Sequence, residues 1–393
     1  MNRETQIQMT KRMLAYRERP EESLRERISY LDVSTYTSET QLRQEKEILF
    51  RNHPIVVGFS CQLPEPGDFL TGCDTGVPIL TVRGPDGRVN AFLNVCRHRG
   101  AAVAEEAAGK GRRNFACPYH GLVYDTEGRL ISIPDGDYGF AGLDPDTMSL
   151  IPLPVEERYG FVWVVPNPEG SIDLDDYLGG LAEDLAAYGF ERYHHFETRT
   201  FKRRMNWKLV SDGFGEAYHI KVLHKKTIDS IFHSKGTAFD SFGRHHRLVA
   251  ALRSLDELRD LPEAEWDLIP HSTIVYNLFP NTVFLMQGDH IEVARFFPGA
   301  HPGESTIHFS LFTPEPCTTE SARGHWKRNM DLLVETVEQE DFRVEEQIQV
   351  GVESGALTHQ VHSGYEQALA HFHGQVRQAL GQPAAAALHA AAN

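Results

Sequence analysis

Apolar and polar positions change texture twice along this chain, and the changes divide it. Residues 1 to 47 are charged, with apolar residues spaced for helices, and "SETQLRQEKEILF" closes the segment as an amphipathic helix. From about residue 50 the apolar runs shorten and are punctuated by Gly and Pro. "HPIVVGFS", "VPILTVRG", "VNAFLNV", "NFACPYHGLVYD", "GRLISIP" and "YGFVWVVP" predict strands. "GPDGRV" and "DTEGRL" put Asp and Gly at hairpin turns. A small antiparallel β domain over 48–166 follows, with "PNPEGS" as a linker. Beyond it "DLDDYLGGLAEDLAAYG" predicts a helix, and "TIVYNLF", "NTVFLMQ", "HIEVARFF" and "ESTIHFSLFT" predict consecutive strands. A long helix is expected over 319–351. Residues 167–380 thus make a second, mixed domain, and 381–393 a low-complexity flexible tail. The fold class is α+β.

Bulk properties narrow the function classes. A chain of 393 residues exceeds one compact core. The formal net charge of −16 argues against nucleic-acid binding, which wants a basic surface. No apolar run reaches the length of a membrane span, and the N-terminus has no signal-peptide core. Five cysteines without a secretory signal predict a cytoplasmic, reduced protein whose thiols are free for metal.

Two segments carry metal-ligand spacing. "CRHRG" and "CPYHG" supply Cys96, His98, Cys117 and His120. Each half gives one Cys and one His, which lets two loop tips hold a two-iron cluster between them. A Rieske [2Fe–2S] centre takes two Cys on one iron and two His on the other; zinc with the same residue types is the competing reading. Cys61, Cys73 and Cys317 lack metal spacing and are expected to be buried or half-buried thiols.

The second segment is "GFGEAYHIKVLH". On a continuous helix Asp212, Glu216 and His219 would form one polar stripe. His224 would lie about 140° from His219, so both reach one metal only if the helix ends or distorts. The long C-terminal helix supplies a third candidate. Its apolar row runs through Trp326, Met330, Leu333 and Val337 to Val344 and Ile348, and the intervening position is Asp341. A buried carboxylate wants a metal or a salt bridge. Two His and one carboxylate form the facial triad of non-haem Fe(II) oxygenases, so His219, His224 and Asp341 are the candidate iron ligands.

Joined to "YGFVWV", "NWKLVSDGFGEAYHIKVLH" and "EDFRVEEQIQ", these motifs make the chain resemble the catalytic alpha subunit of Rieske non-haem iron (ring-hydroxylating) oxygenases. The resemblance spans nearly the whole chain. It implies an all-β Rieske domain followed by a helix-grip catalytic domain, an antiparallel sheet wrapped on a long helix. It also implies a homotrimer, sometimes with a small beta subunit, supplied with NAD(P)H electrons by a separate reductase and in some systems a ferredoxin. The cluster of one subunit serves the iron of the next across a carboxylate. Here that bridge would be Glu216, between His219 and His120 of the partner subunit. Ala101 and Tyr119 stand where respiratory Rieske proteins carry an extra cysteine pair. Two departures matter: the bridge is Glu216 where many members have Asp, and Asp212 stands where Asn is frequent. Some members acting on trimethylammonium compounds also carry Glu. Asp212 is therefore grouped with Glu216 as a catalytic candidate.

The first expectation for activity is O₂-dependent mono- or cis-dihydroxylation of an aromatic or small apolar substrate. The alternative is oxidative N- or O-demethylation, including that of a quaternary ammonium compound; an electron carrier with an inactive second domain is the remaining rival. "FGRHHRL" at 242–248 is expected as a solvated basic loop, and His359, His362, His371 and His373 as surface residues.

Overall fold

The computed structural model of the chain describes residues 1–24, 28–233 and 236–383. Its two compact units are Lys46–Tyr177 with Gly189–Arg192, and Met1–Glu45 with Leu178–Tyr188 and Tyr193–Asn393. The predicted "PNPEGS" linker falls inside the first of these. Residues 384–393, most of the expected tail, lie outside the described residues.

The Lys46–Tyr177 unit is built from short antiparallel strands, as the Gly- and Pro-punctuated texture predicts. One sheet has the order Val89–Leu93, Ile79–Arg83, Phe69–Gly72, Ala108–Gly109. A second orders Asn114–Ala116, Val123–Asp125, Leu130–Ser132, and a third Val155–Arg158, Phe161–Val164, Ile55–Phe59. Phe69, Leu80, Phe115 and Tyr124 fill a core beside Cys96 and Cys117. Both hairpin turns form where Asp and Gly were read.

The other unit centres on a seven-stranded antiparallel sheet. The strands, here β1 to β7 in chain order, are His194–Arg203, Ala238–Phe242, His245–Ala251, Ser272–Leu278, Thr282–Met286, Ile291–Pro298 and Ser305–Thr313. Their order across the sheet is β1-β7-β6-β5-β4-β3-β2. The four strands read from sequence are β4 to β7, and they neighbour one another as expected. The expected single helix at 173–189 is two, Leu174–Leu178 and Leu181–Tyr188, parted at Gly179, whose φ of 50° no helix continues. The N-terminal helix Arg3–Glu18 packs in this unit, with Arg12 Nη1 2.7 Å from Asp240 Oδ1.

Three surface assignments are corrected. "FGRHHRL" is a strand entry: His245, His246 and Arg247 are buried in β3, with Arg247 paired to Asp184 and Asp240. Alternation in a sheet covered on both faces buried what composition read as a solvated run. His362 and His373 are also buried, the latter against Asp212. Cys73, expected to be at least half-buried, is exposed.

Candidate functional site

The two half-motifs of the β unit fold into matching loops. Cys96 N–H donates to Ala101 O and Gly100 N–H to Cys96 O; Cys117 N–H donates to Leu122 O and Gly121 N–H to Cys117 O. Gly100 and Gly121 sit at φ 86° and 74°, a conformation that a Cβ would strain, which explains the glycine closing each half. Cys96 and Cys117 are 2% and 3% exposed, whereas His120 faces outward. The Nδ1 atoms of His98 and His120 lie 3.1 Å apart. Two thiols inside and two convergent imidazole nitrogens outside fit the two-Cys, two-His ligation of a Rieske cluster. Burial pushes the Cys117 thiol up, so metal is needed to hold it as thiolate. Tyr124 Oη lies 3.4 Å from Cys96 Sγ and accepts the Arg97 N–H. At least one polar group therefore touches a cluster sulfur.

The second site lies where two helices are interrupted. The helix Trp207–Phe214 starts at Asn206, whose side chain caps Lys208 N–H, and stops at Gly215. Glu216 is thus not on that helix with Asp212, and the single polar stripe expected there does not exist. A one-turn helix, Ile220–Leu223, follows, with His219 and His224 at its two ends. This short turn resolves the awkward spacing, bringing the two Nε2 atoms to 3.1 Å. Glu216 accepts the backbone N–H groups of Tyr218 and His219, and its other oxygen bonds His219 Nδ1.

The predicted 319–351 helix is Glu320–Thr336, a wide π turn Val337–Asp341, then Phe342–Glu353. The wide turn changes the register of the buried row. Beyond it the buried residues are Phe342, Glu345, Gln349 and Val352, not Val344 and Ile348. Asp341, at the turn's end, is half-buried and points to the histidines, its Oδ1 3.0 Å from His224 Nε2 and 3.7 Å from His219 Nε2. The three donor atoms lie within 4.8 Å of one another. Metal bonds of about 2.1 Å at right angles space neighbouring donors about 3.0 Å apart, so the set fits one six-coordinate ion held on one face.

Two carboxylates orient the imidazoles. Glu216 takes the Nδ1–H of His219, and Glu340 Oε2 takes that of His224 at 2.7 Å and the Thr227 hydroxyl at 2.6 Å. Each bond fixes the tautomer that leaves Nε2 free for metal. Sequence reasoning passed over Glu340; its signal was only that it precedes Asp341 among many acids. It also passed over Glu345, the acid that is buried in the helix row. Burial, and then the charges of Asp341 and Asp212, push the Glu345 carboxyl well up.

Asp212 is anchored apart from the triad. Tyr36 Oη donates to Oδ2 at 2.6 Å and His373 Nε2 bonds Oδ1 at 2.8 Å. Burial, with Asp212 beside it, pushes the Tyr36 hydroxyl well up, which keeps it a donor. A cavity of about 300 Å³ opens on the triad, walled by Phe214, Phe232, Val275, Leu285 and Leu333. Phe296 and Phe297 are sheet residues and do not line it.

Residues 53–139 match the Rieske [2Fe-2S] domain family, and residues 190–382 the family of ring hydroxylating alpha subunits (catalytic domain). The chain belongs to the alpha subunits of Rieske oxygenases. It is 33% identical over 198 residues to the carnitine monooxygenase oxygenase subunit of Acinetobacter baumannii, covering 50% of this chain and 53% of that one. It is 36% identical over 154 residues to the biphenyl 2,3-dioxygenase subunit alpha of Rhodococcus jostii, covering 39% and 33%. In each case the match spans about half the relative's length or less. A crystal structure of a quaternary ammonium Rieske monooxygenase with L-carnitine has the same fold, with a TM-score of 0.78 at 23% identity over 91% of this chain and 96% of that one.

Proposed function

We propose that this Rieske oxygenase alpha subunit is the terminal component of a monooxygenase acting on an ammonium compound, quaternary ones included. The observation that carries this is Glu216, a glutamate bonded to His219 Nδ1, in a chain similar to a carnitine monooxygenase oxygenase subunit. This replaces aromatic hydroxylation as the leading reading. When bound, the cluster and the mononuclear iron supply electron transfer and O₂ activation. His219, His224 and Asp341 would hold that iron beside the cavity. Glu216 and Glu340 fix the two imidazoles. The apolar cavity walls exclude water around the reacting carbon.

Glu216 also serves as the bridge to His120 of the partner subunit in a homotrimer. An ionised carboxylate has about four acceptor sites, and three bonds within the chain leave one. Electrons reach the cluster from NAD(P)H through a separate reductase, with or without a ferredoxin. Among the described residues no helix is long and apolar enough to cross a membrane.

Hydroxylation of an aromatic substrate is the second reading, favoured by the apolar cavity walls and the similarity to the biphenyl dioxygenase subunit. A substrate screen with a surrogate reductase separates the two. O₂ uptake and product mass are followed for choline, L-carnitine, biphenyl and naphthalene. Turnover of an ammonium compound supports the proposal. Turnover of the hydrocarbons alone overturns it.

A further inference from the structure

Glu292 occupies a position where the sheet pattern calls for an apolar residue. Leu248, Val275, Leu285 and Glu292 are successive cross-strand partners on β3, β4, β5 and β6. Residues paired this way face the same side, so the four form one row. All four line the cavity that also holds His219, His224 and Asp341. Three are apolar; the fourth is a carboxylate only 5% exposed.

A buried carboxylate is costly unless compensated. Here the compensation is partial. His290 Nε2 is 3.2 Å from Oε1, and Gln287 Nε2 donates to Oε2 at 3.2 Å, itself held by Thr273 at 3.0 Å. Two of about four acceptor sites remain. His290 Nδ1 is 2.7 Å from Asp289, so both ring nitrogens face carboxylates. With both ring nitrogens taken up this way, His290 has no N–H left for a ligand. Of these groups Glu292 and His290 line the cavity and Asp289 does not, and no Lys or Arg lines it among the described residues.

The Glu292 carboxylate is bonded to His290, which packs on the long helix well ahead of Asp341. Trp326 lies against His290, with ring centroids 5.5 Å apart, and Asn329 lines the same end. Asn329 precedes Asp341 by 341 − 329 = 12 residues along the helix and its wide turn, which is at most roughly 18 Å between those two residues. Leu285, Leu332 and Leu333 line the space between.

We propose that Glu292 anchors the ammonium group of the substrate, and that the carbon oxidised lies several bonds away, at the far end of an apolar chain or ring. This rests on the ammonium reading and adds the place of the charge and the site of oxidation. The step converts one C–H to C–OH. The second oxygen atom of O₂ leaves as water, with two electrons from NAD(P)H through the reductase and two protons, one released on NAD(P)H oxidation and one from solvent.

The test uses the reconstituted holoenzyme, with anaerobic calorimetric binding of hexyltrimethylammonium, 1-hexanol and hexanoate, then turnover. The wild type is expected to bind the cation at least tenfold more tightly than the alcohol and to exclude hexanoate. Glu292→Gln is expected to erase the cation's advantage and leave hexanol binding unchanged. Turnover should give a product hydroxylated on the hexyl chain with its N-methyl groups intact. The wild-type comparison stands even if the variant fails to fold. No cation preference, a preference that survives in Glu292→Gln, or release of formaldehyde from an N-methyl group overturns the proposal. If choline or L-carnitine turns over and Glu292→Gln has no effect, the anchor falls and the ammonium reading stands. If no ammonium compound turns over and biphenyl does, the ammonium reading itself falls.

Discussion

Removing the Glu340 carboxylate should loosen the mononuclear iron without touching a ligand. Its Oε2 is 2.7 Å from His224 Nδ1 and accepts the Thr227 hydroxyl at 2.6 Å. Burial disfavours charge on His224, yet the bonds to Asp341 and Glu340 outweigh it and raise its affinity for protons. The Glu340 part of this, a bond at Nδ1, is what also makes Nε2 a better donor to a metal. A hydrogen bond to a charged group contributes about 1.5–3 kcal/mol. Loss of such an outer partner costs about 10–100-fold in metal affinity, which converts to about 1.4–2.7 kcal/mol; the two ranges agree. Glu340→Gln keeps an acceptor oxygen and loses the charge, so about tenfold is expected. Glu340→Leu loses both and should approach a hundredfold. Thr227→Val removes only the group that steadies Glu340 and should cost least. The assay is iron per chain after dialysis against graded concentrations of a ferrous chelator. The wild type should hold about three irons, two in the cluster and one in the triad. The variants should fall to about two while the visible spectrum of the cluster stays unchanged, which serves as the internal control. Retention of the third iron by Glu340→Leu at the wild-type chelator concentration would refute the orienting role.

Glu216→Gln, even when replenished with ferrous iron to about three irons per chain, should lose turnover, because the amide cannot accept as the carboxylate does; normal turnover would sink the bridge assignment. Lys208 and Glu45 form a fully buried pair at 2.7 Å, with Trp207 Nε1 also donating to Glu45. Lys208→Met strands the carboxylate and should cost about 3–5 kcal/mol in urea unfolding, much of it recovered in Lys208→Met with Glu45→Leu. His246 is buried, and burial, then the neighbouring His371 and His245, push its pKa well below the ordinary range. The unfolded chain therefore binds a proton below about pH 6.5 that the folded one does not, and stability should fall with pH at about 1.4 kcal/mol per unit there. His246→Leu should flatten that slope between pH 6.5 and 5; an unchanged slope assigns the acid sensitivity to another group.

What could be read from sequence was whatever repeats locally. The strand-and-turn texture of the β unit is legible because each hairpin carries its own Asp and Gly, and both Cys–His halves because each is contained in five residues. The sheet strands β4 to β7 were legible as strand-length segments rich in β-branched and aromatic residues. β3 was not, because its start reads His-His-Arg and the partners that allow those groups to be buried, Asp184 and Asp240, come from other elements. The burial of His373 is hidden for the same reason. Its carboxylate, Asp212, lies 161 residues earlier in the chain.

The convergence of His219, His224 and Asp341 on one candidate site was expected from sequence, but not the local structure that brings it about, and the cause is common to both segments. Periodicity assumes a continuous helix. His219 and His224 converge because the helix stops at Phe214 and resumes for a single turn. Asp341 reaches them at the end of a wide turn that breaks the buried row. The row pointed to Asp341 as the acid replacing a buried apolar residue, but the acid buried in that row is Glu345, which binds no triad member. Asp341 is in place because the helix is irregular there. A chain that followed its own periodicity would put Glu216 on a stripe with Asp212. Instead, Glu216 closes the short turn through the N–H groups of Tyr218 and His219 while holding the His219 ring. Both tasks fall to one side chain, and its reach bears on why glutamate stands at this position.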